Sequence, residues 1–382
     1  MKIPFHRPLL GLEESLAVSE VLQSSWLTTG SKTAAFEAAF KEYRQAPVAV
    51  AAASCTSGLL VLLKSLDIPS GSEVITTPYT FAASINVIIQ AGLVPVLADI
   101  APGTLHLDPD QVQKCITPRT RAILTVHVAG FTHRILELSQ IAQAHNLLLI
   151  EDCAHAIEME VLNKPAGLWG DGGVFSFYPN KNMTTGEGGM IISKHITLEA
   201  SLRIWRNHGL SLEPIQRHQN SIWKQYDILA PGYKANLTDI QSAIGLVQLQ
   251  KLQNSWQRRK CIFDRLSNII DNIEGASLYQ PPPDCKSAYH LAIIHLEKER
   301  FQHPIDYYYQ EFYQHGIQCS RHFKPVHLFS YYQQYFGDNG RSFPVSEQTF
   351  DRVITWPLFP ALTDLEIAFL EDKLQLVLTT ES

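Results

Sequence analysis

The sequence predicts an α/β protein: a large domain on a mostly parallel sheet, then a smaller α+β domain. Three observations carry this. Between residues 50 and 195, short apolar runs alternate with amphipathic stretches. The runs are apolar throughout, as strands covered on both faces are. From Thr238 the pattern changes to one long helical repeat and then to mixed short elements. The division is placed at 1–235, N-terminal arm included, and 236–382.

The strand candidates, in order, are Glu73–Thr77, Val94–Asp99, Ala122–Val128, Leu147–Asp152, Gly173–Phe177 and Gly189–Ser193. Helical stretches such as Leu136–His145 lie between them, and this alternation argues for a parallel sheet. Ligands bind such sheets at the carboxyl ends of the strands. Asp99, His127, Asp152 and the turn Phe177–Lys181 fall at such ends. Thr238 is a plausible N-cap, with Ile240, Ala243, Ile244 and Val247 on one face of a helix running to about Ile270. Gln280–Asp284 is a proline-rich break. Beyond it lie a short strand, Ala288–Leu296, and helices over Pro304–His315 and Asp364–Thr380.

Composition narrows the function. The chain has 382 residues, 45% hydrophobic and 18% charged, ordinary values for a soluble globular protein. A net charge of -6 argues against nucleic acid or an anionic membrane as the main partner. No apolar run approaches the roughly 20 residues of a membrane span, and Met1–Pro8 lacks the apolar core of a signal peptide. Cys55, Cys115, Cys153, Cys261, Cys285 and Cys319 are scattered, with no Cys-x-x-Cys pair. That suggests reduced thiols in a cytoplasm and no zinc site. His322 and His327 are separated by Pro325, which breaks a helical ligand register, so no metal is expected there.

The most informative stretch is Phe175–Gly189. An apolar strand runs into a turn that presents Lys181, and a Thr-Gly-Glu-Gly-Gly hinge follows. A lysine in such a turn is either a solvated surface residue or an amine kept for a Schiff base. Leu149–Asp152 is a buried strand ending in acids. Asp152 reads as an N-cap, as a structural ion pair, or as the partner of a protonated pyridine nitrogen. His155, one turn on, is placed to meet that cofactor's phenolate oxygen. Ser54–Gly58 opens the apolar helix Leu59–Leu63, as an ordinary cap or as an anion site. Ser176 adds a hydroxyl beside the lysine strand. Phe81 either stacks on a planar ring or fills core.

These landmarks, in this order, resemble the DegT/DnrJ/EryC1/StrS family of pyridoxal phosphate sugar aminotransferases. The family has the aspartate aminotransferase-like fold, the pyridoxal phosphate-dependent transferase fold type I. The resemblance covers essentially the whole chain. It includes Trp26–Gly30, Ser54–Gly58, Pro78–Phe81, Glu151–Ala156, the lysine motif, Arg206–Gly209, Gly232–Asp239 and His322–His327. It implies that Lys181 forms the Schiff base with pyridoxal 5'-phosphate and moves the proton. It implies Asp152 on the pyridine nitrogen, His155 on the ring oxygen, Phe81 stacked on the ring, and Cys55, Thr56 and Ser176 around the phosphate. Asn236 matches an asparagine that reaches the phosphate of the neighbouring subunit, which requires a homodimer. Trp26, Thr28, Tyr233, His322 and His327 are candidates for contacts with the substrate, a nucleotide-linked keto sugar, with glutamate as amino donor. The sequence departs from the family at Cys55, where glycine or alanine is commoner, and at Ala53, where serine is frequent. The long segment Gln216–Pro231, with Trp223, Tyr226 and Asp227, resembles the branch acting on C4-keto nucleotide sugars, including the enzyme that makes UDP-4-amino-4-deoxy-L-arabinose. Sugar dehydratases of this fold carry histidine in place of the lysine, so Lys181 argues for amination.

Overall fold

Helices α1 (Leu12–Ser24) and α2 (Ser31–Arg44) lead into the first strand of the central sheet in the computed structural model. The structure describes residues 1–212, 224–337 and 342–379. Trp223, the first half of Gln216–Pro231 and Thr380 therefore lie outside the described residues.

The central sheet has seven strands in the order β1-β9-β8-β5-β4-β2-β3. They are β1 (Val48–Ala52), β2 (Glu73–Thr76), β3 (Val94–Leu97), β4 (Thr120–Val126), β5 (Leu148–Asp152), β8 (Gly172–Ser176) and β9 (Gly189–Ser193). β2, β3, β4, β5 and β8 pair in parallel, while β9 runs antiparallel between β8 and β1. β1 was not among the strand candidates. Its alanine-rich sequence lacks the β-branched bulk of the others, yet all five of its residues are buried. Helices α3 (Cys55–Ser65), α4 (Ala83–Gln90), α5 (Pro109–Cys115) and α6 (Ile135–Ala144) make the crossovers, and α7 (Leu198–Arg206) packs on β1 and α3. Since β1 and β8 point the same way, the segments after β1, β2, β4, β5 and β8 all emerge at one edge. That edge holds the site.

The second core surrounds a three-stranded antiparallel sheet of β10 (Ala276–Leu278), β12 (Ala292–Leu296) and β13 (Val353–Trp356). Helices Ile305–Gln314 and Asp364–Thr379 cover it. The helix Asp239–Ile270 joins the two cores: Leu252 belongs to the first, and Ile262, Phe263, Leu266 and Ile270 to the second. Thr238 caps it as the sequence indicates, accepting from the backbone N–H of Gln241. A third, small sheet pairs β11 (Cys285–Lys286) with β6 (Glu160–Val161), and β6 with β7 (Lys164–Pro165).

One element differs from expectation in a way that shapes the site. Residues 288–291 do not extend β12. Tyr289 has φ 47°, and the N–H groups of Ala288 and His290 donate to the carbonyls of Gly130 and Ala129. The segment is tied to the large sheet's edge, and it carries His290 there. All six cysteines are free. Among the described residues no helix is long and apolar enough to cross a membrane.

Candidate active site

At the carboxyl edge of the sheet lies a cavity of about 410 Å³, within the roughly 300–1,000 Å³ of small-molecule and cofactor sites. Its wall includes Cys55, Thr56, Phe81, Asp152, His155, Ser176 and Lys181, with His290, His322 and Phe323 from the C-terminal half. Each comes from the end of an element. β1 ends at Ala52, and Ser54 then caps α3 by accepting from the N–H of Ser57 at 3.0 Å. Cys55 and Thr56 are the first residues of α3, so their N–H groups have no carbonyl one turn back and point at the cavity end of the helix. Such an end favours an anion. Gly189 lets β9 approach it: a Cβ there would come within 2.7 Å of the Ser54 carbonyl carbon and 2.8 Å of the Cys55 nitrogen.

The lysine turn is short and pinned. Lys181 N–H donates to the Tyr178 carbonyl at 2.9 Å, and the N–H groups of Phe177 and Thr185 bond to Gly188 and Phe177. Burial lowers Lys181 to about 8, against the weaker upward pull of Cys55 and Asp152. Asp152, 5% exposed, accepts from Ser84 Oγ at 2.8 Å and from Ala154 N–H at 3.1 Å, with the Cys55 thiol 3.8 Å away. Burial still pushes the carboxyl up, outweighing those two hydrogen bonds. Among the described residues no cation forms a direct ion pair with Asp152. A buried carboxylate without an ion-pair partner among the described residues and a lysine lowered to about 8 thus line one cavity, the pattern of a functional site.

The opposite wall is made of neutral imidazoles. His155 Nδ1 accepts the Ala129 N–H at 3.3 Å, which leaves the hydrogen on Nε2. Its ring stacks on Phe323, with centroids 5.8 Å apart, and packs 4.2 Å from His290. Burial, and next Lys181, hold His155 well below the usual histidine range. His322 is lowered to about 3 by burial and Lys181, and its Nδ1 meets Thr355 Oγ1 at 3.0 Å.

Other candidates from the sequence lie elsewhere. Asn236 Nδ2 donates to Thr29 Oγ1 at 2.7 Å, while its buried Oδ1 has no partner among the described residues. Trp26 donates from Nε1 to the Thr29 carbonyl, and Tyr233 stacks on Trp205. Thr28 and Asn236 sit beside these rather than in the cavity wall. His327 bonds Glu347 at 2.9 Å and packs on Phe343. Asp99 caps the helix Pro344–Phe350, accepting from Val345 and Ser346 N–H. The sequence reading did not single out Ser84, His290 or Phe323. Ser84 lies inside an apolar helix, and the other two reach the cavity only through long-range contacts. Among the described residues, His127, Glu151 and Cys153 could come together on a metal ion. The Glu151 oxygens, however, already accept from His127, Gly167 and Gly170.

The wall suits pyridoxal phosphate. It offers a helix N-terminus with hydroxyls for a phosphate, a buried carboxylate without a cation, and Phe81, 66% exposed, as a stacking surface. A parallel-sheet edge with a lysine turn beside such a helix end is the architecture of the pyridoxal phosphate-dependent transferases of fold type I. The chain belongs to the DegT/DnrJ/EryC1/StrS aminotransferase family, whose model matches residues 8–375. It is 36% identical to the spore coat polysaccharide biosynthesis protein SpsC of Bacillus subtilis, over 96% of this chain and 94% of that one. Its structure resembles Helicobacter pylori PseC, an aminotransferase involved in the biosynthesis of pseudoaminic acid (TM-score 0.92, 27% identity, 100% of both chains). It also resembles the putative sugar aminotransferase Spr1654 of Streptococcus pneumoniae in its PMP form (TM-score 0.91, 30% identity, 100% of both chains). The protein is accordingly a pyridoxal phosphate-dependent sugar aminotransferase.

Proposed function

We propose that the protein transfers the amino group of glutamate to the C4 carbonyl of a nucleotide-linked keto sugar, in surface-polysaccharide or amino-sugar biosynthesis, with Lys181 as the catalytic residue. One observation carries the chemical part: a lysine lowered to about 8 shares a cavity with a buried carboxylate that has no cation. The family, and the polysaccharide role printed for SpsC, support the sugar and the pathway. Resemblance of the sequence Gln216–Pro231 to C4-keto enzymes supports the ring position.

Bound in the cavity, pyridoxal phosphate supplies an electron sink for the bond broken at the donor's α-carbon. The N–H groups of Cys55 and Thr56, with the Thr56 and Ser176 hydroxyls, hold its phosphate. Asp152, steadied by Ser84 and Ala154, holds the proton of its ring nitrogen. His155 donates from Nε2 to its phenolate oxygen, and Phe81 covers its face. Lys181 Nζ takes the α-proton of glutamate and, in the second half, returns a proton to the aminated sugar carbon. An amine near 8 is enough of a base for the first step and enough of an acid for the second. His322 and Phe323 exclude water on the substrate side, with the nucleotide beyond them. Asn236 is not part of the cavity wall of its own chain, which supports a role at a second copy's site in a homodimer. The free cysteines support a reducing, cytoplasmic setting.

Purified holoenzyme given ¹⁵N-glutamate and a panel of UDP-, dTDP- and GDP-linked keto sugars should label a 4-amino sugar. Lys181→Ala should not. Equal labelling of 3-keto and 4-keto sugars defeats the C4 assignment, and an active alanine variant defeats the role of Lys181.

A further inference from the structure

The Val128–Ala129 peptide is held at both ends by imidazoles, and amino transfer uses only one of them. Its N–H donates to His155 Nδ1 at 3.3 Å. Its carbonyl lies 3.2 Å from His106 Nε2. A carbonyl can only accept, so His106 Nε2 carries a hydrogen. Burial, and next His133, lower His106 to about 3, so the ring is neutral and its Nδ1 is bare. His133 Nδ1, 3.1 Å away, therefore donates to it. His133 does so whether neutral or protonated, since Nδ1 holds a hydrogen in both forms. His106 is 2% exposed and packs edge-on against Phe131, with centroids 5.1 Å apart.

Without such a hold the peptide would turn over. His127–Gly130 is a β-turn, closed by the Gly130 N–H on the His127 carbonyl at 3.2 Å. Ala129, its third residue, has φ 62° and ψ −1°, and Val128 has no positive φ. This is the type II form, which favours glycine at that position. The type I form suits alanine, and the two differ by rotation of the central peptide. That peptide is Val128–Ala129. Its flanks are fixed: His127 N–H donates to the Asp152 carbonyl, and His290 N–H to the Ala129 carbonyl, both at 3.1 Å. A Cβ on Gly130 would come within 2.7 Å of the His155 carbonyl oxygen, so the turn lies against the His155 backbone. Rotation would aim the Val128 carbonyl at His155. That ring would then carry its hydrogen on Nδ1 and leave Nε2 bare.

We propose that His106 is a positioning residue for His155: its Nε2–H holds the Val128 carbonyl, so that the same peptide gives its N–H to His155 Nδ1 and keeps the His155 hydrogen on Nε2 for the cofactor's phenolate oxygen. His106 never reaches the cavity wall. It acts through one peptide, whose two polar groups point opposite ways. The proposal rests on His155 meeting the phenolate oxygen.

The test reads tautomers in cofactor-free protein labelled with ¹⁵N-histidine. Long-range ¹H–¹⁵N spectra should show His106 and His155 both as Nε2–H in the wild type. His106→Phe keeps a ring against Phe131 but removes the donor, and His155 should shift toward the Nδ1–H form. His106→Gln still offers an amide N–H to the carbonyl and should keep the wild-type form. Ala129→Gly, added to His106→Phe, removes the preference for rotation and should recover part of the Nε2–H form. Equilibrium dialysis of pyridoxal phosphate should follow the tautomer. Binding should be about tenfold weaker in His106→Phe, the worth of one hydrogen bond to a charged group, and partly restored in the double variant. An Nδ1–H tautomer at either histidine in the wild type overturns the proposal, whether or not a variant folds. So does a Phe variant that keeps His155 as Nε2–H, or a shift that Ala129→Gly does not reverse at all. A shifted tautomer with unchanged cofactor binding would instead defeat the contact of His155 with the phenolate oxygen, which belongs to the functional assignment.

Discussion

Glu151 and Asp152 are neighbours on β5, so their side chains enter opposite faces of the sheet, and the two faces use a carboxylate in opposite ways. Glu151 is 0% exposed. Its Oε1 accepts from Gly170 N–H at 2.8 Å, and its Oε2 from Gly167 N–H at 2.8 Å and His127 Nε2 at 2.9 Å. Fixed donors meet it on all sides, and it pins the loop before β8. Glycine at 170 is needed there, since a Cβ would sit 2.0 Å from the Leu149 carbonyl oxygen. Asp152 has a hydroxyl, one N–H and a distant thiol, and burial raises its carboxyl. A buried acid saturated by the protein is an anchor. A buried acid left short of donors keeps its charge for something the protein binds.

The largest expected effect lies on the cavity face. Lys181→Ala should lower single-turnover amino transfer by about 10⁴, the upper range for a lost general base. The thermal midpoint of the cofactor-free protein should not fall, because a desolvated amine has been removed. A folded, active variant would mean that this face, like the other, is only structural.

The two acids give the most direct contrast. Asp152→Asn should cut kcat by about 10²–10³, the scale of a lost electrostatic partner. Yet it should leave the cofactor-free protein as stable or more so at neutral pH. The sign follows from linkage. The folded pKa is raised above 3.8, so the native state holds the proton more tightly. Stability is then lost as pH rises from the ordinary carboxylate range through the folded pKa, and asparagine removes that loss. Glu151→Ala should do the reverse. Stripping the acceptor from the Gly167 and Gly170 N–H groups should cost about 3 kcal/mol in chemical denaturation, with activity per folded molecule less affected. If Glu151→Ala instead destroys activity in well-folded protein, the division between anchor and site fails.

The cavity face should also show itself by pH. Capture of pyridoxal phosphate by cofactor-free protein, followed by its absorbance, needs the neutral lysine and should be half-maximal near the lowered value of about 8. Two pH units below that midpoint, the neutral fraction, and with it the capture rate, should be down about 50-fold. A midpoint at the ordinary lysine value of 10.5 would mean that Lys181 is not desolvated. The same depression makes the cofactor-free protein gain stability as pH rises from about 8 toward 10.5, since the unfolded chain there holds more protons.

What the sequence made legible follows from these two faces. Strands buried on both sides stand out as unbroken apolar runs, and β9 was read with its own limits, Gly189–Ser193. β1 escaped because Val48–Ala52 is mostly alanine and merges into Ala53. The small sheet brings together segments near 276, 292 and 353, which no local pattern joins. Lys181 and Asp152 were legible because a polar residue at the end of an apolar run is a local anomaly. Ser84, His106 and His290 were not, because each matters only through partners 22 to 108 residues away in the chain. Of the substrate candidates, His322 reaches the cavity wall. Trp26, Thr28, Tyr233 and His327 lie apart from it, held by packing and hydrogen bonds of their own.

The smallest expected effect is the finest test of the contrast. Ser84 Oγ donates to Asp152 Oδ2 at 2.8 Å and shares a 3.0 Å hydrogen bond with Thr80 Oγ1, at a site with no solvent exposure. Ser84→Ala removes one of the two short hydrogen bonds that favour the charged carboxylate and leaves the other, from Ala154. The carboxyl should rise further, since burial already outweighs both donors. Its hold on a protonated ring nitrogen should weaken by about tenfold, the worth of one hydrogen bond to a charged group. Equilibrium dialysis of pyridoxal phosphate and kcat should report that loss together, and Ser84→Thr should restore part of it. The same lost donor on the Glu151 face would leave two partners on the carboxylate and little to measure. If Ser84→Ala proves silent in both assays, Asp152 is as well satisfied as Glu151. Its raised carboxyl then no longer marks the face that holds the cofactor.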